Sequence, residues 1–355
     1  MGSINSDNIR KMEHILSESA TPVIVTHMKP DGDALGSSTA MYHYLRMAGK
    51  SPKIVLNDRY PEYLSFLVDG KIPDEDLLQY DKSPFSAGKA IAAADLIICL
   101  DFNAFHRTDM LEKHLAEATC RKILIDHHLS PDQECFDLVF SETEVSSASE
   151  LLYQVMMETS RIAGDAERLP LDCATALLTG MTTDTNNFAN SVYPSTLSMT
   201  SALLQRGVDR DAVLDLLYNR HSENRLRLMG HMMKDLLTIT DDGVAYIVLD
   251  RHTQMKYSVA EGDTEGFVNM PLSIGKVRMS ILAKEDGGRI RISIRSKKGT
   301  SANRCAREHF NGGGHENAAG GRLFMPDNVS GTDQIGKYIE EHTHEFLTEK
   351  DEDNK

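Results

Sequence analysis

Three mostly apolar runs, each followed closely by acidic or imidazole side chains, constrain the fold of this chain more than any other feature. The runs are Val23–Val25, Ala94–Leu100 and Lys122–Ile125. Short, nearly continuous apolar runs are typical of strands buried in a parallel sheet. In an open α/β sheet the carboxyl ends of such strands share one edge, where ligands bind. We therefore predict an α/β fold whose first domain has a mainly parallel sheet flanked by helices.

The side chains that follow these runs are carboxylates and imidazoles, which bind divalent metal ions. Pro30 and Gly32 break regular structure, so the first group lies on a shaped turn. In order of the runs, the side chains are His27, Asp31 and Asp33, then Asp101, then Asp126, His127 and His128. Neighbouring carboxylates repel unless something positive lies between them, which favours a metal. The alternative is that the aspartates of the first turn only cap the next helix.

A second domain is predicted from the return of alternating apolar residues after residue 235. Alternation occurs at Val244–Leu249, Lys276–Leu282 and Arg289–Arg295, which indicates strands of a smaller α/β domain. At roughly 150 residues per domain, the length of the chain suits two domains. We place the first domain at 1–195, a helical linker at 196–234, the second domain at 235–347 and a disordered tail at 348–355.

Charge limits the class of partner. The net charge of −15 argues against a protein that binds long duplex nucleic acid, because that mode needs many contacts between cations and phosphates. One segment, 289–307, nevertheless holds seven basic residues and no acidic residue. It precedes a glycine-rich stretch, Gly312–His315, which is predicted as a loop whose backbone amides approach an anion or a base. A short anionic substrate fits both features, whereas a solvated strand face and a plain turn are the alternatives.

The cysteines and the hydropathy pattern indicate where the protein works. Five scattered cysteines without a C-x-x-C pair are typical of reduced thiols in the cytoplasm. No apolar run approaches the roughly 18 residues that a membrane span requires. We therefore expect a cytoplasmic protein without a membrane partner.

Taken together, the motifs resemble the DHH/DHHA1 phosphoesterase family over about residues 20–325. A fourth-motif aspartate, Asp184, follows a predicted helix among hydroxyl and amide side chains, where on its own it would be an ordinary loop residue. The matching positions, in the order of the family, are His27, Pro30, Asp31 and Asp33; Asp101; Asp126, His127 and His128; Asp184; and Gly312, Gly313, Gly314 and His315. The two-domain organisation, without further domains, most resembles that of the nanoRNase branch.

This resemblance implies a function. Proteins of that branch hydrolyse short oligoribonucleotides and linear dinucleotides such as pApA to mononucleotides, often with activity on 3′-phosphoadenosine 5′-phosphate. The implied cofactors are two Mn²⁺ ions, with Mg²⁺ or another divalent ion as the alternative, for an in-line attack by water. The implied ligands are His27, Asp31 and Asp101 for one ion, and Asp33, Asp101, His127 and Asp184 for the other. The implied active site lies in the cleft between the domains of a protein that forms a homodimer.

Further roles also follow from the resemblance. Asp126 would orient a neighbouring group, and His128 would contact the phosphoryl group or assist the leaving oxygen. The expected substrate contacts are Arg107, Arg295, Ser296, Asn303, Gly312, Gly313, Gly314 and His315. Two other functions remain open at this point: a phosphodiesterase for cyclic dinucleotides such as cyclic di-AMP, and a nucleotide-binding protein without catalysis.

Overall fold

A computed structural model describes residues 3–260 and 262–353. The chain forms two compact units that meet in sequence between Arg220 and His221. This boundary falls inside the stretch predicted as a helical linker, because the helices before it pack in the first unit and those after it in the second. Within the described residues, no helix has the length and apolar character needed to cross a membrane.

The first unit contains a six-stranded sheet in which every neighbouring pair is parallel, as predicted. Its strands are β1 (Val23–Thr26), β2 (Lys53–Leu56), β3 (Leu77–Gln79), β4 (Leu96–Leu100), β5 (Arg121–Asp126) and β6 (Leu138–Ser141). The order across the sheet is β3-β2-β1-β4-β5-β6. The three strands that precede the candidate ligands, β1, β4 and β5, are therefore neighbours, and their carboxyl ends lie side by side.

Each central strand is buried on both faces. Ile24, Ile98 and Ile125 pack into one hydrophobic cluster, whereas Val25, Cys99 and Leu124 pack into another. Successive side chains of a strand point to opposite faces, so a continuous apolar run is required here. The covering helices are α1 (Ser6–Glu18), α2 (Gly32–Met47), α3 (Pro84–Ala93), α4 (Glu112–Glu117), α5 (Ala148–Glu158), α6 (Leu171–Asp184), α7 (Pro194–Gln205) and α8 (Arg210–Tyr218).

The second unit contains a mixed sheet. Its strands are β7 (Thr238–Ile239), β8 (Val244–Leu249), β9 (Met279–Asp286), β10 (Arg289–Ser296), β11 (Gly313–His315) and β12 (Ala318–Phe324). The order is β11-β12-β10-β9-β8-β7, and of these pairs β8 and β9 are parallel while the others are antiparallel. The helices are α9 (Glu223–His231), α10 (Arg251–Lys256), α11 (Ala302–His309) and α12 (Ile335–Asp353). Ile290, Ile292 and Ile294 are buried, as the alternation predicts.

Two expectations need correction. Gly313–His315, predicted as a loop, forms an edge strand paired with β12. Its glycines allow close approach, because a Cβ at Gly312 would lie 1.8 Å from the carbonyl oxygen of Gly320 and one at Gly314 would lie 2.6 Å from that of Ala318. Residues 348–353, predicted as disordered, continue α12. The last two residues of the predicted tail lie outside the described residues.

Candidate metal centre

The turn after β1 combines helix capping with ligand presentation. Asp31 precedes α2, and its Oδ1 accepts hydrogen bonds from the amides of Asp33 and Ala34 at 3.0 and 3.1 Å. The same oxygen lies 3.9 Å from Nε2 of His27. Asp31 therefore caps α2 and also lies beside the imidazole of His27.

Asp101 lies at the middle of the cluster. It follows β4 directly with a φ of 62°, a left-handed conformation that aspartate tolerates better than most residues. Its Oδ2 is 3.4 Å from Nε2 of His27, and its Oδ1 is 3.5 Å from Nε2 of His127. One buried carboxylate therefore faces two imidazoles that come from different strand ends.

Asp33 is held by the start of another helix. Its side chain is buried and accepts hydrogen bonds from the amides of Ala148 at 2.6 Å and Ser149 at 2.9 Å, in the first turn of α5. The unpaired amides and the dipole of a helix N-terminus stabilise a carboxylate in this position. Asp33 Oδ2 lies 4.0 Å from Nε2 of His127.

Asp184, the last residue of α6, completes the cluster. Its Oδ2 lies 3.6 Å from Nε2 of His127. The structure thus brings together all the sequence-predicted metal ligands of the first unit. Three overlapping groups of potential ligands share Asp101, and these are His27, Asp31 and Asp101; Asp33, Asp101 and His127; and Asp101, Asp126 and His128.

The electrostatics of the cluster are those of crowded acids balanced by imidazoles. Burial alone would lower the pKa of His27, but Asp101 and Asp31 outweigh it and raise that pKa to about 9. In the same way the carboxylates around His127, chiefly Asp101 and Asp184, raise its pKa to about 10. Burial and neighbouring carboxylates raise the pKa of Asp33 well above its usual range and that of Asp184 to about 6.

Asp101 behaves differently from its neighbours. Despite its burial, its close contacts with the imidazoles of His127 and His27, and their positive charge, hold its pKa far below the usual range. Asp101 therefore remains ionised more readily than Asp33 and Asp184, because it lies between two imidazoles that are protonated in the absence of metal.

This donor set fits divalent ions. Imidazole-to-carboxylate separations of 3.4 to 4.0 Å are long for hydrogen bonds. Two atoms that bind one ion at ~2.0–2.2 Å lie about 3–3.6 Å apart, so small movements would bring them onto a shared ion. Carboxylates with a few imidazoles and no thiolate suit Mn²⁺ better than zinc.

Asp126 and His128 are in contact with each other next to Asp101. Asp126 is completely buried, and its Oδ1 lies 2.7 Å from Nδ1 of His128. Its other oxygen accepts a hydrogen bond from the amide of His128 at 3.1 Å. This contact orients the imidazole and favours the tautomer in which Nδ1 carries the proton.

The predicted substrate contacts are placed less uniformly. Arg107 is half-buried in the first unit, and its carbonyl accepts a hydrogen bond from the amide of Met28 at 2.8 Å, which joins it to the ligand turn. In the second unit, the hydroxyl of buried Ser296 donates to the carbonyl of Thr300 at 2.6 Å. Asn303 Oδ1 accepts a hydrogen bond from the amide of Gly314 at 3.0 Å. Ser296 and Asn303 thus contact their own unit. Asn303 directly supports the glycine hairpin, by which we mean Gly312–His315, the segment that pairs with β12.

Arg295 and His315 are half-exposed. Nη1 of Arg295 donates to the carbonyl of Ile294 at 2.9 Å. Gly313, between the two crowded glycines of the hairpin, has room: a Cβ there would meet only Asn303 Oδ1 at 3.5 Å and Arg307 Cγ at 3.7 Å.

Sequence reasoning missed the residues that support the ligands. A Cβ at Gly180 would lie 2.0 Å from Oγ of Ser149 and 2.8 Å from Oδ1 of Asp33. Only glycine therefore lets α6 approach α5 and α2 this closely. The carboxylate of Asp58, after β2, accepts a hydrogen bond from the amide of Lys29 at 2.7 Å and so fixes the ligand turn. The one available signal was the position of Gly180, one helical turn before Asp184.

Comparisons with known protein families match both units of the chain. The model of the DHH family, N-terminal domain, matches residues 22–181, and that of the DHHA1 domain matches residues 229–337. The bifunctional oligoribonuclease and PAP phosphatase NrnA of Thermus thermophilus is 28% identical over an alignment that covers 96% of this chain and 95% of that protein.

Solved structures share the fold. An exopolyphosphatase-related protein from Bacteroides fragilis is 35% identical, with 98% of each chain covered and a TM-score of 0.88. RecJ from Thermus thermophilus, in complex with Mn²⁺, is 14% identical with a TM-score of 0.55, and the match covers 97% of this chain and 54% of RecJ. The likeness to RecJ concerns the fold alone.

Proposed function

The chain belongs to the DHH/DHHA1 phosphoesterase family, and on this premise we propose that it hydrolyses short oligoribonucleotides and linear dinucleotides such as pApA to mononucleotides. The observation that carries the proposal is the convergence of imidazoles and carboxylates on Asp101. The proposed substrates include 3′-phosphoadenosine 5′-phosphate, in keeping with the name of the Thermus relative.

The proposed cofactor is a pair of Mn²⁺ ions, with Mg²⁺ as the alternative. His27, Asp31 and Asp101 would hold one ion, and Asp33, Asp101, His127 and Asp184 the other. Bound there, the ions would supply positive charge at the phosphoryl group and lower the pKa of a water molecule for in-line attack. The RecJ that shares this fold was solved with Mn²⁺.

The residues of the chain have distinct tasks in this proposal. The amides of α5 hold Asp33 in place, so its position does not depend on the substrate. Asp126 presents the ring of His128 toward the reacting phosphate, where Nε2 contacts the phosphoryl group or assists the leaving oxygen. We assign recognition of the substrate to Arg107, Arg295 and the glycine hairpin.

A comparison of rates on four substrates tests the proposed activity. We expect the full chain with Mn²⁺ to hydrolyse pApA and short RNA fastest, 3′-phosphoadenosine 5′-phosphate more slowly and cyclic di-AMP slowest. Asp101→Asn should lower kcat/KM by about 100-fold or more, because a ligand shared by both ions is weakened. Asp211→Asn, an exposed change in the first turn of α8, is the matched control and should leave the rates unchanged. Fastest turnover of cyclic di-AMP, or turnover of none of the four, would contradict the proposal.

The glycine hairpin has its own test. Gly313→Ala meets no close atom and should fold normally, yet it adds a methyl group where we place the ligand. We expect KM for pApA to rise at least several-fold while kcat and the content of bound metal stay the same. An unchanged KM would remove the hairpin from substrate binding.

A further inference from the structure

A second cluster of metal-binding side chains lies within the second unit, on α11 and α12. His309 is the last residue of α11, and His342 and Glu345 lie three residues apart on α12. One potential ligand atom of each residue lies within 4.8 Å of the other two. We propose that these three residues bind a transition-metal ion of the zinc type, independent of the centre around Asp101.

The spacing of the two imidazoles supports this site. Nδ1 of His309 lies 3.4 Å from Nδ1 of His342. Two nitrogens that bind one tetrahedral ion at ~2.0–2.1 Å lie about 3.3–3.4 Å apart, whereas a direct hydrogen bond prefers about 3 Å. The ring planes are inclined at 47° with centroids 5.4 Å apart, so the rings face each other by their nitrogen edges rather than stacking.

The carboxylate supplies the third ligand. Oε2 of Glu345 lies 3.7 Å from Nδ1 of His342. The side chain of Glu345 is 58% exposed and that of His342 is 32% exposed, so an ion reaches the cluster from solvent. Three protein ligands leave a fourth position for water.

Aromatic packing holds both imidazoles before any ion binds. The ring of Tyr338 lies 4.0 Å from that of His342, centroid to centroid, and the ring of Phe346 lies 6.0 Å from that of His309. The hydroxyl of Tyr338 also donates a hydrogen bond to the carbonyl of His309 at 3.0 Å. A site whose ligands are already oriented loses little conformational freedom on binding.

The donor set distinguishes this site from the first. Two imidazoles and one carboxylate suit Zn²⁺, Ni²⁺ or Co²⁺, whereas the carboxylate-rich centre around Asp101 suits Mn²⁺. An ion here would join the end of α11 to α12. Because the chain continues from α11 through Phe310 into β11, the same ion would fix the base of the glycine hairpin.

Visible spectroscopy with Co²⁺ tests the site in the full chain. With the first centre saturated by Mn²⁺, one equivalent of Co²⁺ should give the intense d–d bands of a tetrahedral ion, and Zn²⁺ should displace it. His342→Ala should abolish the bands. The control is His344→Ala, because His344 lies on the same helix, is 72% exposed and contacts Asp242 instead. Asp101→Asn should leave the bands unchanged.

Glu345→Gln provides a milder variant, since its exposed side chain is not needed for packing. We expect it to weaken Co²⁺ binding by at least about tenfold while the far-UV circular dichroism stays that of the unaltered chain. Absence of tetrahedral bands, their persistence in folded His342→Ala, or equal loss in His344→Ala would overturn the proposal.

Discussion

Asp101 has a strained backbone conformation, and the pKa of its side chain is held far below the usual range. Its left-handed φ of 62° costs most residues about 1 kcal/mol or more, and such conformations concentrate at functional sites. Asparagine adopts the same conformation as readily as aspartate. Asp101→Asn therefore removes the charge without adding backbone strain, which makes it the sharpest single change in this protein.

Asp126 is predicted to act through His128 rather than on a metal. Asp126→Asn would place an amide where the Nδ1 of His128 now meets a carboxylate, so the tautomer of the ring would change. We expect kcat for pApA to fall about 10- to 100-fold, with the content of bound metal and KM nearly unchanged. Parallel measurement of kinetics and metal content checks this. Loss of metal together with activity would instead make Asp126 a ligand.

At the scale of elements, the centre depends on how closely three helices meet. The first turn of α2 carries Asp33, the N-terminus of α5 binds it, and the end of α6 carries Asp184. Gly36 on α2 lies against α6, where a Cβ would be 2.8 Å from the carbonyl oxygen of Ala176. Glycine residues thus set the distance between two helices that carry proposed ligands.

Gly180→Ala should disturb the metal centre without removing a ligand. The added Cβ would clash with Ser149 and Asp33, and overpacking of this kind costs about 1–3 kcal/mol. We expect a lower Tm and weaker metal binding than in the unaltered chain. The matched control is Gly230→Ala on α9, where a Cβ meets nothing within 4 Å and the free energy of unfolding should rise slightly. Equal behaviour of the two variants would contradict this account of helix approach.

Some elements are predictable from sequence and others are not, for physical reasons. β1, β4 and β5 are predictable because burial on both faces requires apolar runs. β3 was missed, since its three residues, Leu77–Gln79, are only half-buried and too few to form a recognisable apolar run. The hairpin at Gly313–His315 was missed because glycine has low intrinsic strand propensity, and only the contact with β12 explains it.

At the scale of the whole molecule, each of three hydrophobic clusters contains one buried cysteine. Cys173 and Cys99 lie in the two clusters on either side of the first sheet, and Cys305 lies in the core of the second unit. Burial raises the pKa of Cys305 to about 12 and those of the other two even further. Cys120 and Cys135 are partly exposed.

Thiol titration therefore tests the packing of all three clusters at once. In the native full chain at neutral pH, we expect no more than the two partly exposed thiols to react with a disulfide reagent, because thiolates are the reactive form. All five should react in denaturant. Rapid reaction of a third thiol in the native protein would show that one of the three clusters is not packed as described.

The chain-wide arrangement marks the limit of sequence reasoning. The parallel sheet predicted that His27, Asp101 and His127 would meet at one edge, because strand ends align. No local pattern links Asp33 to the amides of Ala148 and Ser149, which lie 115 and 116 residues away. Such contacts depend on how helices pack over the sheet. In the sequence, only the glycines at close helix contacts indicate that packing.

The central claim is that Asp101 joins two metal ions in one centre. Binding of Mn²⁺ to the metal-free full chain, followed by calorimetry and by electron paramagnetic resonance, tests it most directly. We predict two equivalents with a spin-coupled spectrum in the unaltered chain and in Asp211→Asn. Asp101→Asn should lose the coupling and bind at least one ion more than about tenfold more weakly. A coupled pair that persists at full affinity in Asp101→Asn would contradict the account.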